Sequence, residues 1–353
     1  MKKMILSMAA LAMIFTSCNK DEEAPNQEQS KVDMSDFYVY TDSDSEEAAR
    51  VAEGSKSCYS MVNLNRLLNE NEGLYKKMYD IEYNTRKSIA AKKPDGAGNG
   101  NGNGNGGSDP DPGTGDNLGV ITIPVYVHVI YSTSAQNISD TQINSQITVL
   151  NRDFRKNNSD SNQVPSLFSG VATDSEIEFV LAGTFRHANS QSSWGTNDAM
   201  KAAYPPVTPQ THLNIWVCNI GGGILGYAQF PGGPSSTDGV VISPQYFGTT
   251  GYVSAPFDKG RTATHEVGHY LNLRHIWGDG RCNRDDYVSD TPSSDRPNYG
   301  CPSFPTNHCN STDMTMNYMD YTDDACMYMF TEGQKARMRT IFESGGPRAS
   351  MIN

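Results

Sequence analysis

Thr264 to His275 reads T-H-E-V-G-H-Y-L-N-L-R-H. A helix over Arg261 to Leu271 puts His265 and His269 four residues apart on one face, where both imidazoles can share a metal ion. Glu266 lies beside them and can take a proton from a metal-bound water without being a ligand, the division of labour of a hydrolytic zinc site. His275 follows His269 by six residues, too far to continue that face, so the helix must break and fold back. Asn272 marks the break, because such a turn needs a positive φ that Asn tolerates better than most residues. A bare H-E-x-x-H arises by chance on amphipathic helices. The third histidine and the downstream M-D-Y tract turn the reading toward a zinc peptidase.

Elements that could position this helix precede it. Ile121–Tyr131, I-T-I-P-V-Y-V-H-V-I-Y, alternates and is rich in β-branched and aromatic residues, which predicts a strand with His128 packed inside it. Ser139 is an expected N-cap for a helix whose Ile143, Ile147, Leu150 and Phe154 repeat along one face and back the sheet. Glu176–Ala182, His212–Cys218 and Asp238–Ile242 read as further strands, with Cys218 a buried free thiol. The glycine-rich tract Gly221–Phe230 reads as an edge strand over the cleft, able to lend backbone hydrogen bonds to an extended substrate. The order strand, helix, strands, zinc helix predicts a mixed α/β sheet with its site at one side.

The chain has 353 residues and a formal net charge of −12. Nucleic-acid binding is not expected, because no basic footprint is present. Met1 to Ser17 has the charged start and short apolar run of an export signal, and Cys18 follows it. F-T-S-C resembles a bacterial lipobox, which implies lipidation of Cys18. Asn19 to Glu23 resembles the acidic signal that sends such lipoproteins to the outer surface. Acidic, polar composition from Asp21 to about Glu53 predicts a disordered tether. Met61, Leu64, Leu67 and Leu68 at helical spacing, and the segment after them, predict one or two helices of a prosegment. Residues 94–117 are almost entirely Gly, Asn, Asp, Pro and Ser and form a linker, leaving residues 118–353 as the catalytic domain. The thiolate of Cys58 could fill the fourth coordination position of the zinc and hold the enzyme latent. Proteolysis at Arg86, Lys87, Lys92 or Lys93 would then free the catalytic domain.

Beyond His275, Cys282, Cys301, Cys309 and Cys326 punctuate an irregular region. In an exported protein they should form disulfides, and four cysteines allow three connectivities. A closing amphipathic helix is expected from about Glu332 to Phe342.

H-E-x-x-H-x-x-x-x-x-H followed by a tight turn bearing Met319 resembles the metzincins. Within them the chain is similar to the pappalysin family from roughly Cys58 to Phe342, including L-G-Y-A-Q-F-P and M-D-Y-T-D-D-A-C-M. Asn272 departs from the glycine usual at that position. The resemblance implies a metzincin-type α/β (α+β) domain: a mixed, twisted sheet, backing helix and zinc helix, then an irregular disulfide-bonded subdomain with the Met-turn and closing helix. It implies His265, His269 and His275 as zinc ligands, Glu266 as general base and then acid, Met319 as the floor of the Met-turn and Tyr321 as a donor to the tetrahedral intermediate. It implies disulfides Cys282–Cys309 and Cys301–Cys326, and calcium on oxygens of Asp285, Asp286, Asp290 and Thr291. In relatives that cut before Lys or Arg, the aspartate matching Asp324 lies in the pocket for the residue after the scissile bond; Asp323 could serve instead. The expected partner is a protein or peptide substrate, met by a monomer with no membrane contact except its lipid. A surface binding protein on the same scaffold would lack Glu266 or a ligand, and all four residues are present. A zinc hydrolase of non-peptide substrates would not need the edge strand or Asp324.

Overall fold

The computed structural model describes residues 32–41, 58–92 and 116–352. The export signal, Cys18 and most of the linker lie outside them. Helices α1 (Ser60–Glu70) and α2 (Leu74–Lys92) come first. Met61, Leu64, Leu67 and Leu68 of α1 and Leu74 and Met78 of α2 form a buried cluster with Val39 and Phe230. The helical spacing thus serves to seat the prosegment on the catalytic domain, and Phe230 is its anchor there.

The central sheet follows: β1 (Ile121–Tyr131), α3 (Asp140–Phe154), β2 (Ile177–Ala188), α4 (Ala199–Ala203), β3 (Leu213–Val217), β4 (Gly226–Ala228) and β5 (Val240–Ile242). Strand order is β2-β1-β3-β5-β4. All neighbours are parallel except β4, which runs antiparallel to β5 at the edge. Alternate residues of β1 are buried from Ile121 to Val129, as a strand with one face on a core requires. β2 runs on to Ala188, past the expected end at Ala182, because β1 is long enough to pair with all of it across a register shift at Val125/Tyr126. Gly183 permits this: a Cβ there would stand 3.3 Å from the Tyr126 ring.

α3 begins at Ser139, whose hydroxyl accepts from the Gln142 amide at 3.2 Å. It packs against β2 and against α5 (Arg261–Tyr270), the helix that carries H-E-x-x-H. Beyond α5 the chain is irregular, with the short pair β6 (Asn307–His308) and β7 (Ser311–Thr312) and a 3-10 turn at Asp324–Cys326, until α6 (Glu332–Thr340). Disulfides Cys282–Cys309 and Cys301–Cys326 staple this region. A reciprocal Thr331–Gln334 capping box starts α6.

Two segments differ from what composition suggests. Residues 34–41, assigned to the tether, pack on the catalytic domain: Tyr38 donates to the Asp285 carbonyl at 2.8 Å and lies under Arg274 and Arg284. The aromatic run F-Y-V-Y supplies apolar area that the acidic average of the region conceals. Asp116, assigned to the linker, is held by both Arg339 Nε and Nη2 at 2.7 and 2.9 Å. Asp116 thus contacts α6 although composition places it in the linker.

Candidate active site

α5 is buried along its whole length. Leu271 caps it, and Asn272 follows with φ +76°, the left-handed turn that lets the chain fold back. The Leu273 carbonyl then accepts from His269 Nδ1 at 2.8 Å, so the turn itself fixes one of the imidazoles. His265 Nδ1 donates to the Tyr318 carbonyl at 2.7 Å, and His275 Nδ1 bonds Asp279 Oδ1 at 2.5 Å. Carbonyls only accept, so the Nδ1 atoms of His265 and His269 carry the protons and their Nε2 lone pairs face inward. His269 Nε2 is 3.2 Å from His265 Nε2 and 3.1 Å from His275 Nε2. Tetrahedral zinc with nitrogen ligands at about 2.05 Å separates those nitrogens by about 3.3 Å, so this donor set fits the ion.

Cys58 completes the cluster. Its Sγ and the three histidine donor atoms all lie within 4.8 Å of one another, and all four residues are buried. The same thiol is 3.3 Å from Glu266 Oε2, which also accepts from the Ser60 hydroxyl at 2.6 Å. Ser60 Oγ in turn accepts from the Ala228 amide at 2.7 Å, and the Tyr59 amide donates to the Gly226 carbonyl at 3.1 Å. Tyr59 and Ser60 thus cover Glu266 and occupy edge backbone groups of β4. Gly226 is needed here: a Cβ would lie 2.8 Å from the Val241 carbonyl and 3.1 Å from Glu266 Cγ.

Met319 sits under α5, where a Cβ on Gly268 would come within 2.4 Å of its sulfur. Tyr321 donates to the Cys58 carbonyl at 3.2 Å, and its ring lies 4.9 Å from that of His275. Behind His265, Thr264 donates to Asp153 Oδ2 at 2.8 Å. Burial pushes the Asp153 carboxyl up to about 6, against the pull of Arg261.

Asp324 is buried at the start of α5, where its Oδ2 accepts from the Lys259 and Arg261 amides at 2.9 and 3.1 Å. The Asp323 amide bonds the Gly300 carbonyl. In the acidic loop, Thr291 donates to both Asp286 oxygens, at 2.8 and 3.0 Å. Asp290 instead accepts from Thr331 Oγ1 and the Gly333 amide, anchoring the start of α6. Burial, with Asp285 nearby, raises the Asp286 carboxyl well above its usual range, and burial raises that of Asp290. Cys218 is a buried free thiol pushed up to about 12 by burial.

Sequence reasoning missed Ser60 and Asp279. Asp279 follows His275 by four residues, a spacing that could have marked it. Ser60 carries no signal beyond its closeness to Cys58.

A profile of the family described as pregnancy-associated plasma protein-A matches residues 207–343. An extracellular metalloprotease of Pyricularia oryzae is 36% identical over 233 residues, 63% of this chain and 75% of that protein. The chain belongs to the pappalysin family. Mature mirolysin of Tannerella forsythia, solved with a cleaved peptide, is 48% identical at a TM-score of 0.64, covering 66% of this chain and 96% of that one. A promirolysin variant is 42% identical at 0.69, covering 84% and 96%. Like its pappalysin relatives, the chain is a zinc metalloendopeptidase on a metzincin fold.

Proposed function

We propose that the chain is the latent precursor of an exported endopeptidase that cuts on the amino side of Arg and Lys. The observation that carries latency is the joint approach of Cys58 to the three histidines and to Glu266. The promirolysin match extends over 84% of the chain and the mature one over 66%, and a prosegment accounts for the difference.

His265, His269 and His275 hold the zinc, which when bound polarises the scissile carbonyl and lowers the pKa of water. After the prosegment leaves, Glu266 accepts the proton of the attacking water and passes it to the leaving amine. Tyr321, released from the Cys58 carbonyl, donates to the oxygen that gains charge in the tetrahedral intermediate. Gly226 and Ala228 of β4 pair with the extended substrate through the backbone groups that Tyr59 and Ser60 use. Asp324 receives the basic side chain that follows the scissile bond.

Activation is expected at the end of α2. Arg86 lies inside that helix and is tied to Asp36 and Glu82, whereas Lys92 is its last residue. Cleavage beside Lys92 or Lys93 needs the least unwinding and fits the same preference. We further propose lipidation at Cys18 with display at the outer surface until that cut, a monomeric enzyme, and calcium in the loop of Asp286, Asp290 and Thr291. Buried Asp286 and half-buried Asp290 offer the hard oxygen donors that calcium takes.

Incubation of the processed enzyme and its Asp324→Ala variant with a peptide library, every cut mapped by mass spectrometry, tests the specificity. Cuts before Lys and Arg that become indiscriminate in the variant are expected. An unchanged preference would sink the Asp324 assignment.

A further inference from the structure

Arg66, on α1, reaches out of the prosegment to a second acidic residue of the catalytic domain. Its Nη2 bonds Asp198 Oδ2 and, at 2.6 Å, Asn63 Oδ1. Its Nη1 pairs with Glu70 at 2.6 Å. Asp198 itself is only 4% exposed and stands in the left-handed region at φ +60°. Its other oxygen, Oδ1, faces inward: Lys201 Nζ lies 2.9 Å away and Tyr227 Oη donates at 3.1 Å. Lys201 is fully buried, donates also to the Thr237 carbonyl at 2.8 Å, and lies over the Trp216 and Tyr227 rings. The carboxylate is therefore fixed by the interior through one oxygen while the other meets a prosegment guanidinium. Charge-assisted pairs of this kind are strong when largely desolvated.

Its place relative to the cleft is set by β4. Tyr227, which binds Asp198, stands between Gly226 and Ala228, whose backbone groups Tyr59 and Ser60 occupy. Asn63, which shares the Arg66 guanidinium, donates to the Ala228 carbonyl at 3.1 Å. One continuous run of contacts thus leads from the zinc ligands along β4 to Asp198. Every prosegment group on that run leaves at activation.

We propose that Asp198 is a substrate-binding residue, an anionic subsite on the outer rim of the cleft. Arg66 fills it in the latent chain, and a Lys or Arg side chain remote from the scissile bond fills it in the mature enzyme. The inference rests on the reading of β4 as the substrate-pairing strand. It adds a second basic preference that is separate from Asp324.

The test uses the full chain with a foreign protease site placed within residues 94–115 and Glu266→Ala to prevent self-processing. After nicking, prosegment dissociation is timed for Arg66→Gln, Asp198→Asn and the double variant. Each single change should speed release about tenfold, and the double should be no faster than either, as a coupled pair requires. Equal and additive effects would overturn the pairing. In the active enzyme, the peptide library should show Lys and Arg enriched at one position outside the scissile pair, and Asp198→Asn should cut that enrichment about tenfold. Asp198→Asn with Lys201→Met leaves no buried lysine without its carboxylate and guards against misfolding. Coupling with no enrichment, or enrichment that survives in the variants, would overturn the substrate role. Cuts that ignore the residue after the scissile bond but keep the second basic position would sink the Asp324 reading and support Asp198.

Discussion

Glu82 of α2 should set how tightly the prosegment holds, and how that hold responds to acid. It is 3% exposed and lies between Arg337 of α6, which donates to both its oxygens, and Arg86, at 2.8 Å. Burial alone would raise its carboxyl, but the two guanidiniums outweigh burial and bring it from 4.5 to about 2. That depression corresponds to at most about 3 kcal/mol in favour of docking at neutral pH, because Arg86 shares α2 with Glu82 and stays with it after release. Because the docked value is the lower one, this contribution is complete above pH 4.5. It is lost as pH falls from 4.5 toward 2. At pH 3 the loss is about 2 kcal/mol, a factor of about 30 in the docking equilibrium. The assay is release of the prosegment from nicked zymogen, followed by size exclusion or by appearance of activity on return to neutral pH. From pH 6 to pH 3, release should rise about 30-fold more in wild type than in Glu82→Gln, which should already release readily at pH 6. Other interface carboxyls titrate in both proteins, so the difference between them isolates Glu82. The same acid response in both would refute the reasoning.

Gly268→Ala should destabilise the catalytic domain by about 1–3 kcal/mol, since its Cβ would strike Met319 Sδ in a filled core; an unchanged melting temperature would count against that floor. His128 is 2% exposed, stacked on Phe185 and Trp216, and burial together with His187 lowers its pKa. Stability should therefore fall as pH drops below about 6.5, where the unfolded histidine protonates first. His128→Phe should flatten that part of the urea-midpoint profile, because Asn214 Oδ1 keeps the Val207 amide as a partner at 2.9 Å.

Local chemistry dominated what could be read without coordinates. Alternation in Ile121–Tyr131 and the Ser139 cap describe single elements whose neighbours hardly alter them, and both form where the pattern puts them. The Asn272 turn is likewise local, since one residue must take a positive φ for His275 to return. Contacts between distant segments were hidden. Nothing in C-Y-S announces that Ser60 bridges Glu266 and the Ala228 amide, because that depends on where β4 lies. Arg66 and Asp198 are separated by 132 residues and meet only through the docked prosegment. Residues 34–41 were concealed for a different reason: window composition averages four aromatic or branched residues into an acidic background, while docking depends on those few side chains.

Catalysis is proposed to need one zinc on His265, His269 and His275 together with Glu266 as the proton carrier. The most direct test is metal content and peptide hydrolysis measured together on the processed enzyme and its Glu266→Ala variant. We predict one zinc per chain in both and hydrolysis lower by at least about 1,000-fold in the variant, in the range by which general acid–base residues contribute and above. Full hydrolysis by a zinc-loaded Glu266→Ala chain would contradict the account.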